Sequence, residues 1–150
     1  WDVPGGELVG WPHVDHGHFP LAHQPAQILE THRLHLVAPV EVERHYAVHI
    51  GKPLMIDFTA EWCAACHELE KYTYNDAGVI ALAENFVPVM IDCTERADPV
   101  VKAVQEKYRV RGLPTVVFVK PDGTVLGTTV EFIEAPAFRQ KMEQALVAAG

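Results

Sequence analysis

Cys63 and Cys66 stand three residues apart in Trp62-Cys63-Ala64-Ala65-Cys66. An apolar run, Pro53 to Phe58, precedes them and predicts a buried strand. The segment from Cys63 to about Tyr72 predicts a helix. Two thiols at this spacing on a strand-to-helix junction can close a disulfide without moving the backbone. The pattern points to reversible exchange of that disulfide with the thiols of another protein.

The remaining composition narrows the setting. The chain has 150 residues and 49% of them are apolar, enough for one domain with its own core. Twenty acidic residues against twelve basic ones give a formal charge of -8. That balance argues against a nucleic-acid partner and against an anionic membrane surface. No apolar run approaches the length of a membrane span. The chain begins at Trp1, with no start methionine and no basic-then-apolar leader. It reads as an excised or processed segment, which could be one piece of a larger protein. Three cysteines are too few for a disulfide scaffold and suit one exchanging pair plus a spare.

Residues 1–30 read as an irregular arm or linker. Pro4, Pro12, Pro20 and Pro25 break any long helix, and His13, His16, His18 and His23 lie among them. The histidines could hold a metal weakly, or simply be part of a polar linker. Residues 31–150 read as the folded domain. Leu34 to Val37 predicts a short edge strand, and Pro39 opens a helix to about Ile50. Further helices are predicted over about Asp76 to Glu84, Pro99 to Tyr108 and Pro136 to Ala148. Strands are predicted at Phe86 to Ile91, Thr115 to Val119 and Thr124 to Val130, the last two joined by the turn Lys120-Pro121-Asp122-Gly123. The order implies an α/β fold: a central mixed sheet with helices on both faces.

Cys63 is the expected nucleophile, because a helix start favours the thiolate. Cys66, one turn deeper, is the expected resolving thiol. Asp57 interrupts the apolar strand. Buried, it should have a raised pKa and could move the Cys66 proton; half-exposed, it would be an ordinary strand-end acid. Glu70 is four residues past Cys66 and either tunes that thiol or is solvated. Glu61 reads as a surface group. Trp62 reads as a shield and contact surface for the dithiol, with core filling as its alternative. In Gly112-Leu113-Pro114-Thr115 the proline is either cis, leaving Leu113 free to pair with an extended peptide, or an ordinary trans proline at a strand start. A zinc site using Cys93 and His67, a haem attachment through Cys66-His67, and an inert structural disulfide are the competing readings of the pair. Cys93 itself reads as buried and inert, or as a third redox thiol.

The segment Asp57-Phe58-Thr59-Ala60-Glu61-Trp62-Cys63-Ala64-Ala65-Cys66, with Gly112-Leu113-Pro114-Thr115 far downstream, resembles thioredoxin over about residues 34–149. The resemblance implies a thioredoxin-like fold with Asp57 as buried acid, Cys63 and Cys66 as redox pair, and Pro114 as the cis-proline facing them. Gly51-Lys52-Pro53-Leu54-Met55-Ile56-Asp57 and Cys66-His67-Glu68-Leu69-Glu70-Lys71-Tyr72-Thr73-Tyr74 are more specifically similar to the C-terminal periplasmic domain of the DsbD family. By that likeness Glu70 belongs to the site, and His67 stands where the family has lysine or a similar residue. Trp62, Ala64, Leu113 and Pro114 become the expected substrate contacts.

That family implies a monomeric reductant outside the cytoplasm. It would take electrons from a membrane-embedded donor and pass them to partner disulfides through mixed disulfides. It would need no organic cofactor and no metal. A stand-alone reductase, for example in cytochrome c maturation, and a non-catalytic binding module are the alternatives.

Overall fold

In a computed structural model, residues 51–150 are described. The arm, the Leu34–Val37 strand and the helix after Pro39 lie outside the described residues. The elements are β1 (Leu54–Thr59), α1 (Ala64–Glu68) with a π-helical continuation (Leu69–Thr73), α2 (Ala77–Ala83), β2 (Val87–Asp92), α3 (Pro99–Lys107), β3 (Thr115–Val119), β4 (Val125–Val130) and α4 (Ala135–Ala149).

The strands form a mixed sheet in the order β2-β1-β3-β4. β1 runs parallel to β2, with Asp57 opposite Met90, and antiparallel to β3, with Asp57 opposite Val116. β3 and β4 form the expected hairpin. Gly123 takes φ +96, which glycine adopts without a Cβ clash, and its N–H closes the turn on Lys120 O at 2.8 Å. The register slips between Phe118 and Val119.

Side chains alternate across the sheet and build two apolar layers. Leu54, Ile56, Phe58, Val117 and Val119 face one layer, to which α3 adds Val101 and Val104. Met55, Val116 and Phe118 face the other, covered by Leu69, Val79 of α2, and Phe138 and Met142 of α4. Helices therefore cover both faces, as the α/β reading expects.

Local signals set the ends. Asp76 caps α2 by accepting from Gly78 N and Val79 N at 2.9 and 3.1 Å. Asp98 caps α3, and Pro99 takes its first turn, where a missing N–H costs nothing. Two expectations need correction. Cys63 is not helical: with ψ 97 it is the cap, and α1 starts at Ala64. The helix is also not α-helical throughout, because from Leu69 it widens to π geometry and Tyr74 N bonds Leu69 O. Pro88 sits inside β2, the outer strand of the described sheet, where a missing donor is tolerated.

Phe138 is fully buried and contacts the Tyr74 and Phe118 rings. Phe138→Ala should destabilise the domain by about 3–5 kcal/mol in urea unfolding. Val147, 84% exposed on the same helix, should tolerate alanine within about 0.5 kcal/mol.

Candidate redox site

The site forms where β1 ends. Ala60 O accepts from Cys63 N at 3.0 Å, which turns the chain from strand into α1. The sulfurs of Cys63 and Cys66 are bonded at 2.05 Å, with their Cα atoms 5.3 Å apart. Cys63 Sγ also accepts the Cys66 backbone N–H at 3.2 Å. A donor aimed at this sulfur would favour its anionic form once the bond opens. Both cysteines are largely buried, at 6% for Cys63 and 2% for Cys66, so Cys63 is the outer of the two.

Asp57 is 3% exposed, so it is a core acid and not a strand-end one. Burial is the main cause that pushes its pKa up from 3.8 to about 7. The nearby Tyr74 hydroxyl pulls it down and the Glu70 charge pushes it further up. Asp57 Oδ1 and Tyr74 Oη are both buried without a hydrogen-bond partner by geometry, while the downward pull on Asp57 is the kind a Tyr74 O–H directed at the carboxylate exerts. Tyr74 is itself raised well above the usual tyrosine value, by burial first and then by the Asp57 charge. Glu70 is half-buried on the π-helical turn, with His67 Nδ1 3.9 Å from its carboxylate. His67 Nε2 is 2.9 Å from Glu61 O, which ties the start of the helix to the turn before it.

Trp62 is 48% exposed and does not fill the core. Its indole N–H donates to Thr94 O at 3.1 Å. Thr94 Oγ1 accepts from Glu61 N at 2.9 Å and donates to Asp92 Oδ1. The Arg96 guanidinium lies 3.9 Å over the indole ring. The loop after β2 thus fixes the tryptophan beside the disulfide. The Leu113–Pro114 bond is cis, the first of the two conformations the sequence left open. Pro114 is buried, Leu113 half-buried and Ala64 exposed.

Sequence reasoning missed Tyr74, Thr94 and Arg96. Tyr74 follows the π turn, which no sequence pattern announced. Asp92-Cys93-Thr94 carried a weak signal, since Asp and Thr two apart often bond locally, as Thr94 N does to Asp92 Oδ1 at 2.9 Å. Arg96 gave none.

Cys93 is 2% exposed, and burial, followed by the Asp92 charge, pushes its pKa up to about 12. Its thiol faces Ile91 O at 3.6 Å. The zinc reading needed Cys93 and His67 to join the pair. Instead Cys93 Sγ lies against Ile91 O and His67 Nε2 against Glu61 O.

The Asp57 pKa sets a pH dependence of stability. A folded-state pKa above the unfolded one favours the folded state at low pH, where the acid is neutral in both states. That advantage is complete below about pH 3.8 and lost as pH rises through about 7. The gap corresponds to roughly 4 kcal/mol. The oxidised protein should therefore lose stability to urea from Asp57 across this window. Asp57→Asn should remove the loss and exceed wild type at pH 8 by roughly 2–4 kcal/mol. Parallel pH profiles of the two proteins would refute this.

Comparisons with known proteins follow the same lines. A family model described as "Thioredoxin-like domain" matches residues 41–146. The thiol:disulfide interchange protein DsbD of Cronobacter sakazakii is 33% identical over 130 residues, which are 85% of this chain and 22% of that protein. The chain thus spans about a fifth of the length of this curated relative. The oxidised C-terminal domain of Neisseria meningitidis DsbD superposes with a TM-score of 0.63 at 29% identity, covering 72% of this chain and 93% of that one. A Thermus thermophilus thioredoxin gives 0.65 at 25% identity, covering 73% and 85%. With a mixed sheet, a disulfide at the end of its central strand and a cis-proline loop beside the core, this chain belongs to the thioredoxin-like domain family.

Proposed function

We propose that this domain is a thiol–disulfide oxidoreductase that reduces disulfides of partner proteins outside the cytoplasm. The observation that carries it is the Cys63–Cys66 bond at the tip of α1, with the Cys66 N–H donated to the outer sulfur. Similarity to DsbD interchange proteins supports the substrate class, which is protein disulfides, and the outward location. It also supports a membrane-embedded dithiol as the electron source.

In the reduced domain the Cys63 thiolate attacks one sulfur of a partner disulfide. The partner S–S bond breaks, one partner sulfur leaves as a thiolate and takes a proton, and Cys63 is left in a mixed disulfide. Cys66 then gives its proton to Asp57, directly or through a water. Its thiolate attacks Cys63 Sγ and forms the intramolecular bond. The second partner sulfur leaves and is protonated. The partner gains two electrons from the domain and two protons from solvent, the domain gives up the Cys66 proton through Asp57, and the donor dithiol restores it. Glu70 raises the Asp57 pKa and so helps the acid act as a base near neutral pH. Trp62, Ala64, Leu113 and Pro114 are the proposed partner contacts. The redox pair belongs to the protein, so the step needs no organic cofactor and no metal. Cys93 has no part in it, because a thiol with a pKa near 12 supplies almost no thiolate.

Cys63→Ser should abolish reduction of insulin disulfides. Cys66→Ser should accumulate a mixed disulfide through Cys63, seen as a mass adduct that dithiothreitol removes. If no adduct forms with any disulfide-bearing protein, the exchange reading fails. The reduction potential should lie nearer about -270 mV than about -120 mV. A value at the upper end would reverse the direction of electron flow.

A further inference from the structure

Tyr74 occupies a position that an unbroken α-helix would not give it. The π turn over Leu69–Thr73 adds a residue, and Tyr74 N reaches back to Leu69 O at 3.0 Å. The ring enters the core, 3% exposed, with its centroid 5.6 Å from that of Phe138. Phenylalanine would fill the same space, so packing gives the hydroxyl no purpose. That hydroxyl and Asp57 Oδ1 are the two buried side-chain polar atoms without a partner among the described residues. Buried polar atoms seldom stay unpaired, and two orphans in one core, acting on each other, call for a physical account.

We propose that Tyr74 is a positioning residue of the exchange reaction: its O–H is the donor that Asp57 acquires on ionising, and it thereby sets the pH at which Asp57 can take the Cys66 proton. The inference rests on the exchange reading above. Its logic is one of supply and need. A neutral carboxyl in this core needs no donor, whereas the carboxylate does, and water is excluded.

The other groups facing Asp57 do not offer a donor of this kind. Glu70, on the same helical segment as Tyr74, opposes ionisation by its charge. Cys93, just after β2, interacts with Asp57 but directs its thiol to Ile91 O. The strand neighbours Met90 and Val116 are apolar. Tyr74 alone among these favours the anion. It keeps its own proton while doing so, since the same burial holds its pKa well above the ordinary value. The proton cycle balances. Cys66 gives its proton to Asp57, Asp57 releases it to solvent when the partner leaves, and the Tyr74 proton stays on its oxygen.

Tyr74→Phe keeps the ring and removes the donor. In the reduced protein, the Asp57 carboxyl titration read by carbon-13 NMR should move up by roughly one pH unit. The pH–rate profile for insulin reduction should follow it upward, with the thermal midpoint at pH 5 little changed. In an Asp57→Asn background the same substitution should leave the profile where it is. In the wild type, the Tyr74 Cζ resonance should titrate with the Asp57 midpoint. An unmoved Asp57 titration in Tyr74→Phe, or a Tyr74 resonance indifferent to it, overturns the proposal. The NMR readout does not need turnover. A wild type that fails to exchange therefore sinks the functional reading while the Asp57–Tyr74 coupling is still decided.

Discussion

Strand β1 is hydrogen-bonded along both edges and covered on both faces, so all six of its residues are buried. A strand in that position cannot slide: a one-residue slip would turn Leu54, Ile56 and Phe58 out of one layer and Met55 out of the other. Its end is therefore a fixed point. Ala60 O catches Cys63 N there, and the first cysteine inherits the rigidity of the sheet. A disulfide that must open and close in the same geometry needs such a mount, because the returning sulfur finds its partner only if the backbone has not moved.

The same burial makes Asp57 expensive. A carboxylate inside β1 has lost water on every side, and its pKa near 7 is the result. A fold selected for stability alone would place an apolar residue there, as it does at the adjacent positions of β2 and β3. The cost makes sense where a group must exchange a proton near neutral pH. Tyr74 and Glu70 then push the acid in opposite directions, and both come from the helical segment that carries Cys66. The disulfide and the groups that shift the Asp57 pKa thus share one mount.

On the outer side the loop after β2 does for Trp62 what β1 does for the cysteines. Asp92 orients Thr94, Thr94 holds the Glu61 N–H and the indole N–H, and Arg96 lies on the ring. The tryptophan stays half-exposed yet fixed, which lowers the ordering cost of any protein surface that settles on it. Its guanidinium cover leaves an exposed cation over the indole in a chain of formal charge -8.

Much of this was legible in the residue order. Alternating apolar runs, prolines at Pro99 and Pro136 and the Pro121-Asp122-Gly123 turn placed every described strand and helix to within a residue or two, because those signals act over a few neighbouring residues. The Cys63–Cys66 pair and Asp57 stood out as chemistry against an apolar background. What the sequence could not decide was whatever depends on chain segments far apart meeting. Whether Asp57 was in the core or at a strand end depended on the layers closing over it. Whether Leu113–Pro114 was cis depended on the loop it enters. Tyr74, Thr94 and Arg96 joined the site only through a widened helical turn and a distant loop. Local order determined which elements form and which sulfurs pair; three-dimensional packing decided which groups lose water, and so where the protons go.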